Sequence, residues 1–336
     1  MLDKLQKIKF AIAGCGKIAT RHAEQIIKHG ELVGCCDIIP AKADVLAKKF
    51  NTKAIYNFKD LLQLDVDVIV ICTPNYLHCP QTVEALNAGF NVICEKPMAL
   101  TSYDCSVMET AAQKNNKHLF IVKQNRFNEP VKFVKKLIDD GKLGTIHNIQ
   151  VNCFWNRNDD YYNNTWRGKI KTDGGILFTQ FSHFIDIMFW FLGDVENVCG
   201  FSGNYLHKNS IEFSDSGVAA IKFKNGATGS INYSVNAYNK NMEGSITVFG
   251  EKGTIKIGGE YLNLLEYFEV EGLERPELPE SATANNYGTY RGSMSNHDKV
   301  YDNVLEVITK SSVPYTTTKE SLKCIEIIEK INNANN

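Results

Sequence analysis

A glycine-rich turn near the N-terminus has the residue types that hold a diphosphate. The apolar run Lys9–Ala13 leads into Gly14-Cys15-Gly16-Lys17-Ile18-Ala19, and a helix-like segment covers residues 18–29. Gly14 permits a tight turn, Gly16 lets backbone N–H groups approach a pyrophosphate, and Ala19 is small enough for close helix–strand packing. The pattern predicts a dinucleotide-binding turn, with candidate cofactor contacts at Gly14, Cys15, Gly16, Lys17 and Ile18.

An acidic residue follows at the spacing that this motif requires. A second apolar run, Leu32–Cys36, ends in Asp37, about 20 residues beyond the turn, where a carboxylate accepts hydrogen bonds from an adenosine ribose. Ile38, Ile39 and Pro40 come next, so no cation is at hand to neutralise a 2′-phosphate. An anionic Asp37 repels that phosphate, and NAD is therefore favoured over NADP. The alternative is a helix-start turn followed by an unrelated acidic strand end.

Polar segments follow two further strand-like runs. Thr73-Pro74-Asn75, with His78, comes after Val66–Cys72, and Glu95-Lys96-Pro97 comes after Val92–Cys94. Because the carboxyl ends of parallel strands line the ligand crevice, we expect both segments to contact the cofactor. Partial desolvation and a neighbouring cation would lower the pKa of Lys96 toward general acid–base work. An ordinary strand–helix turn and a surface lysine beside a proline are the alternatives.

A long apolar segment contains a histidine. The pattern predicts one helix over residues 175–192, in which Thr179, Gln180 and His183 share a face because they are three and four residues apart. His183 lies among apolar residues and needs a polar partner or a ligand. A satisfied core histidine is the alternative. Asp186 is expected to be structural, bonding backbone or an arginine.

The elements that position these residues fall into two regions. Short apolar runs alternate with amphipathic segments up to about residue 122, which predicts a doubly wound parallel sheet. After Phe127, a helix (about 129–140) and a series of alternating segments predict a large, open, mainly antiparallel sheet. The fold class is therefore α/β, with a nucleotide-binding domain at 1–124 and a second α/β domain at 125–336. Two C-terminal helices, about 298–310 and 318–332, are expected to pack on the first domain.

Composition limits the function classes. The 336 residues carry a formal net charge of −1, which argues against nucleic acid as a partner. Ten cysteines without a Cys-x-x-Cys pair predict reduced thiols, and neither a signal peptide nor a membrane-spanning run is recognised, so we expect a cytoplasmic protein without a membrane partner. The sequence offers no clustered set of histidine, cysteine and aspartate ligands, so we expect no metal. An open sheet face predicts a homodimer or homotetramer.

The motifs in combination resemble the Gfo/Idh/MocA oxidoreductases. Ala13-Gly14-Cys15-Gly16-Lys17-Ile18-Ala19, the Thr73 and Glu95 segments, and the Gly-Gly…His183-x-x-Asp186 helix occur in the family's order over essentially the whole chain. The resemblance implies a Rossmann domain, and it implies that Lys96 and His183 are catalytic and flank a sugar carbon facing the nicotinamide. Many members carry aspartate where this chain has Thr179, which puts a Lys–Asp–His proton relay in doubt.

A closer likeness concerns the nucleotide-sugar branch of the family, typified by UDP-N-acetylglucosaminuronate 3-dehydrogenases. It rests on Lys123-Gln124-Asn125-Arg126, Phe154-Trp155-Asn156-Arg157, Tyr161-Tyr162, Trp166-Arg167-Gly168, and the segments at 243–248 and 250–254. This likeness implies NAD-dependent oxidation of C3 of a UDP-linked uronic acid for lipopolysaccharide and O-antigen sugars. It agrees with the chemistry, because a carboxylate and a diphosphate need cations and a tyrosine can flank a ring.

The resemblance assigns the remaining site residues. It implies cofactor contacts at Gln124, Trp166 and Arg167, and substrate contacts at Lys96, Asn125, Arg126, Arg157, Tyr161, Thr179, Gln180 and His183. Three alternatives stay open: another sugar or inositol dehydrogenase, a nucleotide-sugar ketoreductase, and a non-catalytic NAD-binding sensor that would lack Lys96 and His183. The motifs leave open the exact sugar, the direction, the route of NADH reoxidation and which catalytic residue accepts the proton.

Overall fold

The computed structural model describes residues 7–163, 165–280, 283–286, 288 and 291–334. The chain divides into two compact units. One comprises Met1–Val122 and His297–Leu322, and the other comprises Lys123–Asn296 and Lys323–Asn336. The division near residue 122 lies close to the boundary expected at 124/125, and the segment 297–322 joins the first unit.

The first unit contains a six-stranded parallel sheet, which confirms the predicted doubly wound architecture. Its strands lie in the order β3-β2-β1-β4-β5-β6. All four β4 residues are buried, as a strand covered on both faces requires. The strands are β1 Lys9–Ala13, β2 Glu31–Cys36, β3 Lys53–Ile55, β4 Val68–Ile71, β5 Asn91–Cys94 and β6 Leu119–Ile121, and the helices are α1 Ala19–His29, α2 Pro40–Phe50, α3 Phe58–Leu61, α4 His78–Asn87 and α5 Ser102–Lys114.

The second unit contains a seven-stranded sheet in the order β13-β12-β11-β7-β10-β9-β8. Its pairs are antiparallel except for β7 with β10, which run parallel, so the predicted large, mainly antiparallel sheet is confirmed. A separate ribbon joins β14 Ala284–Asn286 to β15 Arg291–Met294. The large sheet consists of β7 Ile146–Phe154, β8 Val195–Gly203, β9 Ser216–Phe223, β10 Thr228–Ser234, β11 Glu243–Gly250, β12 Gly253–Gly258 and β13 Leu264–Val270.

The predicted single helix over 175–192 is wrong. The structure has two helices there, because the backbone of Phe181, at φ −107° and ψ 4°, leaves the helical region. Thr179 and His183 consequently lie on different helices, and their four-residue spacing does not place them on one face. The helices of this unit are α6 Glu129–Asp139, α7 Asp159–Tyr162, α8 Ile170–Asp173, α9 Ile176–Thr179 and α10 Ser182–Leu192.

Two helices complete the chain, α11 His297–Lys310 and α12 Thr318–Ala334. Within the first unit α11 packs against α1. Among the described residues, no single helix is both long and apolar enough to cross a membrane, although the segment 170–179 together with α10, bent by 54°, meets the length and composition criteria as a pair.

The two faces of the seven-stranded sheet differ in chemistry. Residues such as Val151 and Ile231 are buried on the inner face, next to α10. The outer face has polar residues at its centre, where Asn232 donates a side-chain hydrogen bond to Asn152 at 3.0 Å. Large exposed apolar side chains lie toward its edges, at Phe201, Val218, Leu264 and Tyr267. The outer face is therefore mixed rather than uniformly apolar.

A buried ion cluster lies in the second unit. Arg126 donates two hydrogen bonds, of 2.8 and 2.9 Å, to the Asp186 carboxylate, and the Lys123 ammonium lies 3.3 Å from it. Arg126 is fully buried and its guanidinium lies 4.8 Å from the centre of the Trp190 ring. Burial alone would raise the pKa of Asp186, but Arg126 and Lys123 lower it to about 2. The structural role expected for Asp186 is what the structure shows.

We expect Asp186→Ala to lower the free energy of unfolding by about 3–5 kcal/mol, because it leaves two cations buried without their carboxylate. Asp194→Ala is the matched control. Its partly exposed carboxylate lies 3.4 Å from Lys224 and 3.6 Å from Lys323, and loss of such a surface pair costs less than about 1 kcal/mol. Urea denaturation measures both variants, and equal midpoints for Asp186→Ala and Asp194→Ala would contradict the account.

Candidate active site

The turn after β1 is shaped for a close backbone approach. Gly14 has φ +90°, and a Cβ there would lie 2.7 Å from the carbonyl carbon and oxygen of Cys72, so only glycine fits. At Gly16 a Cβ would meet no described atom within 4 Å, which leaves the turn open on that side. The structure shows no side chain capping α1 among the described residues. Its first N–H groups can therefore receive an anion, and the turn fits a diphosphate.

Asp37 lies beside this turn. Its carboxylate accepts hydrogen bonds of 2.9 Å from the backbone N–H groups of Cys15 and Ile39, one on each oxygen. An ionised carboxylate has about four acceptor positions, so capacity remains for ribose hydroxyls. The structure thus brings Gly14, Cys15 and Asp37 together. The turn fits the diphosphate of an adenosine diphosphate, and Asp37 fits its ribose.

His78 connects the two loops that follow β4 and β5. Its ring nitrogens lie 2.7 Å from the Pro97 carbonyl oxygen and 2.9 Å from the Thr73 carbonyl oxygen. Burial lowers the pKa of His78, so a neutral ring donates to one loop or the other. Because both nitrogens face protein carbonyls, the structure does not support the expectation that His78 contacts the cofactor. Thr73, Pro74 and Asn75 stay predicted cofactor contacts.

The Glu95 carboxylate is directed into the protein. It accepts a 3.1 Å hydrogen bond from the backbone N–H of Lys96 on one oxygen and lies 2.9 Å from His22 Nε2 on the other. His22 lies on α1 and is fully buried, and its Nδ1 lies 2.9 Å from the Tyr301 hydroxyl on α11. The carboxylate is thus occupied by internal hydrogen bonds, and a cofactor contact at Glu95 stays a prediction.

These residues also form a group with the composition of a metal site. His22, Glu95 and His297 offer ligand atoms within 4.8 Å of one another, and all three are buried. Sequence spacing does not indicate this group, because its three residues are far apart in the chain. Both ring nitrogens of His22 already lie at hydrogen-bond distance from Tyr301 and Glu95. The geometry therefore fits a hydrogen-bonded cluster better than a set of ligands.

Several amide side chains of the second unit have buried atoms without a hydrogen-bond partner among the described residues, and three of them belong to predicted site residues. Asn125 is 1% exposed, and within the described residues neither its oxygen nor its nitrogen has a hydrogen-bond partner. The same is true of the side-chain oxygens of Gln124 and Gln180. Their nitrogens donate to Ser293 at 3.0 Å and to Tyr161 at 3.1 Å, respectively. Buried polar atoms are normally hydrogen-bonded, so these three side chains are candidates for contact with a ligand.

Two guanidinium groups lie close to the Tyr161 ring. Arg157 lies 5.3 Å and Arg167 lies 4.6 Å from its centre, and Arg167 also lies 4.9 Å from the Trp166 ring. Together with Gln180, which bonds the Tyr161 hydroxyl, they form a cluster suited to an anionic ligand with a ring. Arg126 does not belong to it. Its guanidinium is engaged by Asp186 in the core, and a substrate contact at Arg126 stays a prediction.

The buried carboxylate of Asp173 lies next to Thr179. Asp173 is fully buried, accepts a 2.9 Å hydrogen bond from the Gly168 N–H, and also accepts one from the Thr179 hydroxyl. It thereby joins the Trp166–Gly168 turn to α9. The sequence analysis did not single out Asp173, since its six-residue separation from Thr179 matches no helical spacing. His183 lies on α10 with 2% of its surface exposed.

A glycine turn that fits a diphosphate, with Asp37 beside it on a doubly wound parallel sheet, is typical of a dinucleotide-binding domain. Residues 8–123 match the "Oxidoreductase family, NAD-binding Rossmann fold", and residues 131–256 match the "GFO/IDH/MocA C-terminal domain". The chain belongs to the Gfo/Idh/MocA oxidoreductase family, as its motifs predicted. The predicted cofactor, NAD, and the predicted enzyme class are confirmed at this level.

Solved structures and characterised relatives agree with this assignment. The WlbA dehydrogenase from Bordetella pertussis, in complex with NADH and UDP-GlcNAcA, is 34% identical, with a TM-score of 0.87 over 98% of this chain and 96% of its own. The WlbA dehydrogenase from Chromobacterium violaceum, with the same ligands, is 34% identical, with a TM-score of 0.88 over 98% and 94%. A 1-carboxy-3-chloro-3,4-dihydroxycyclohexa-1,5-diene dehydrogenase from Comamonas testosteroni is 32% identical over 66% of this chain, and the match spans 56% of that relative.

Asp37→Ser is expected to weaken NAD binding about tenfold, because it removes a charged hydrogen-bond acceptor for the ribose. The same change is expected to strengthen NADP binding, because it removes an anion that repels the 2′-phosphate. Equilibrium titration of protein fluorescence with both dinucleotides measures the two effects. An unchanged ratio of the two dissociation constants would contradict the role given to Asp37.

Asn125→Ala is expected to change the free energy of unfolding by less than about 1 kcal/mol, because the unpaired amide that it removes offsets the lost packing. The same variant is expected to weaken binding of a sugar nucleotide about tenfold. Asn128→Ala is the matched control, since Asn128 is equally buried but donates to Tyr261 at 2.9 Å and accepts from Asn296 at 2.8 Å. Urea denaturation should show a larger loss for Asn128→Ala, and the reverse order would refute the assignment.

Proposed function

We propose that this protein oxidises the C3 hydroxyl of UDP-N-acetylglucosaminuronic acid to a ketone, with NAD⁺ as the oxidant. The observation that carries the proposal is the near-full-length likeness, at 34% identity, to two dehydrogenases whose structures hold NADH and UDP-GlcNAcA. The reaction would supply a keto sugar nucleotide to an aminating enzyme in the formation of lipopolysaccharide and O-antigen sugars.

The side chains of the second unit support an anionic sugar nucleotide as the ligand. Such a substrate carries a diphosphate and a carboxylate, and Arg157 and Arg167 lie near the Tyr161 ring, an aromatic group of the kind that can face a sugar or a base. The unpartnered amide atoms of Asn125 and Gln180 are suited to sugar hydroxyls and an acetamido group. Free sugars and inositols have no anionic groups to match these guanidinium groups.

In the proposed reaction Lys96 and His183 share the work on the C3 hydroxyl. One of them accepts the hydroxyl proton, and the other donates a hydrogen bond to the oxygen as the carbonyl forms. NAD⁺, when bound, accepts the hydride from C3. Thr179, whose hydroxyl bonds to Asp173, replaces the carboxylate of a three-member relay. Lys96 and His183 therefore transfer the proton without a third ionisable group.

The proposal also covers assembly and location. We propose self-association through the outer face of the seven-stranded sheet, as a homotetramer or homodimer, supported by the exposed Phe201, Val218, Leu264 and Tyr267. A cytoplasmic location follows from the use of NAD and of a nucleotide sugar. Sedimentation of the purified protein tests the association.

The activity is tested by NADH absorbance after mixing the protein with NAD⁺ and UDP-GlcNAcA. UDP-GlcNAc, which lacks the carboxylate, and myo-inositol are the controls, and a coupled transaminase with 2-oxoglutarate allows turnover if NADH stays bound. We expect a signal with the uronate alone. A signal with myo-inositol and none with the uronate would return the chain to the inositol dehydrogenase alternative.

In the same assay, Lys96→Ala and His183→Ala are expected to lower kcat by about 100- to 10,000-fold, as loss of a general acid or base does. NAD binding should be retained in both variants. Lys114→Ala and His147→Ala are matched controls at exposed positions and should behave as the unmodified protein. Near-normal rates in both active-site variants would show that these residues are not catalytic.

A further inference from the structure

A buried chain of hydrogen bonds ends at the backbone of Lys96. It begins at the Tyr301 hydroxyl, which lies 2.9 Å from His22 Nδ1, and it continues from His22 Nε2 to a Glu95 oxygen at 2.9 Å. The other Glu95 oxygen accepts the Lys96 N–H at 3.1 Å. Two helices of the first unit, α11 and α1, are thus linked to one peptide group in the loop that follows β5.

The protonation states give each bond its direction. Burial lowers the pKa of His22, so the imidazole is neutral. Burial alone would raise the pKa of Glu95, but the hydrogen bond from His22 and the nearby His297 ring, whose Nε2 lies 3.6 Å away, hold that pKa well below its usual value. Burial raises the pKa of Tyr301, so the phenol keeps its proton. Tyr301 consequently donates to His22 Nδ1, and His22 Nε2–H donates to an ionised Glu95.

The main chain one residue after Lys96 is held as well. The Pro97 carbonyl oxygen lies 2.7 Å from the His78 ring, which also faces Thr73. Glu95 and Pro97 are both buried, whereas Lys96 between them is only half-buried. Two buried histidines, His22 through Glu95 and His78 through Pro97, therefore hold the main chain on both sides of Lys96.

We propose that Tyr301, His22 and Glu95 are positioning residues that hold the Lys96 main chain, and hence its ammonium group, at the reacting hydroxyl. The inference rests on the proposed catalytic role of Lys96. In this proposal Glu95 is needed as a hydrogen-bond acceptor, and its negative charge is not needed. A misplacement of about 1 Å in a catalytic group can cost about 100-fold in rate, so a firm hold on this peptide has a functional consequence.

The test compares Glu95→Ala with Glu95→Gln. In Glu95→Gln the amide oxygen can still accept the Lys96 N–H, and the amide nitrogen can donate to His22 Nε2 if the ring proton moves to Nδ1 and donates to Tyr301. The hydrogen-bonded chain survives without its charge. We expect Glu95→Ala to lower kcat by about 100-fold with little change in the KM for NAD⁺, and Glu95→Gln to restore most of that loss.

A double-mutant cycle with Lys96→Ala separates positioning from general damage to the fold. If Glu95 acts through Lys96, Glu95→Ala has no further effect on kcat once Lys96 is alanine. An equal further loss in that background overturns the proposal. Equal losses in Glu95→Gln and Glu95→Ala would also overturn it, because the carboxylate would then act through its charge.

Two measurements do not depend on the substrate. Hydrogen exchange at the Lys96 amide should be slow in the unmodified protein and in Glu95→Gln, and fast in Glu95→Ala. If this exchange pattern is found but the unmodified protein is inactive toward UDP-GlcNAcA, the proposed substrate is rejected and the positioning role is kept. Equal exchange in all three proteins would reject the positioning role. One equivalent of zinc bound to His22, Glu95 and His297 in the purified protein would also overturn it, since the Glu95 oxygen would then be a metal ligand.

Discussion

Residue 14 has no room for a side chain, and the cofactor half of the structure depends on this constraint. The backbone after β1 comes so close to Cys72 that a Cβ would lie 2.7 Å from its carbonyl group. The close approach brings the turn at the start of α1 to the loop that follows β4. The same edge of the sheet carries Asp37, Thr73 and Lys96, because the strands are parallel and end together.

Buried polar groups serve two different purposes in this protein. Asp186 with Arg126, and Glu95 with His22, are closed sets in which each carboxylate is hydrogen-bonded, so these groups shape the protein and offer little to a ligand. Asn125 is buried to the same degree, but its amide has no partner within the described residues. The presence or absence of a hydrogen-bond partner therefore distinguishes structural polar residues from candidates for ligand binding. Sequence spacing alone does not distinguish them.

The sequence predicted what depends on local pattern. The runs that became β1, β2 and β4, the glycine turn and the alternating strands of the second sheet all follow from short-range periodicity. The break at Phe181 and the three-residue β3 escaped prediction, because a continuous apolar run hides a helix break and a short edge strand has little pattern. The side chains of Glu95 and Arg126 have internal partners that lie far away in the chain. Short-range pattern does not predict such partners, so the residue types alone indicated a ligand.

The most direct test of the account follows the fate of one hydrogen atom. UDP-GlcNAcA carrying deuterium at C3 is mixed with the protein and NAD⁺, and the reduced cofactor is analysed by mass spectrometry. The account predicts NADH that contains one deuterium and a sugar nucleotide that has become a 3-ketone. Reduced cofactor without deuterium would show that C3 is not the carbon oxidised, and it would contradict the central claim.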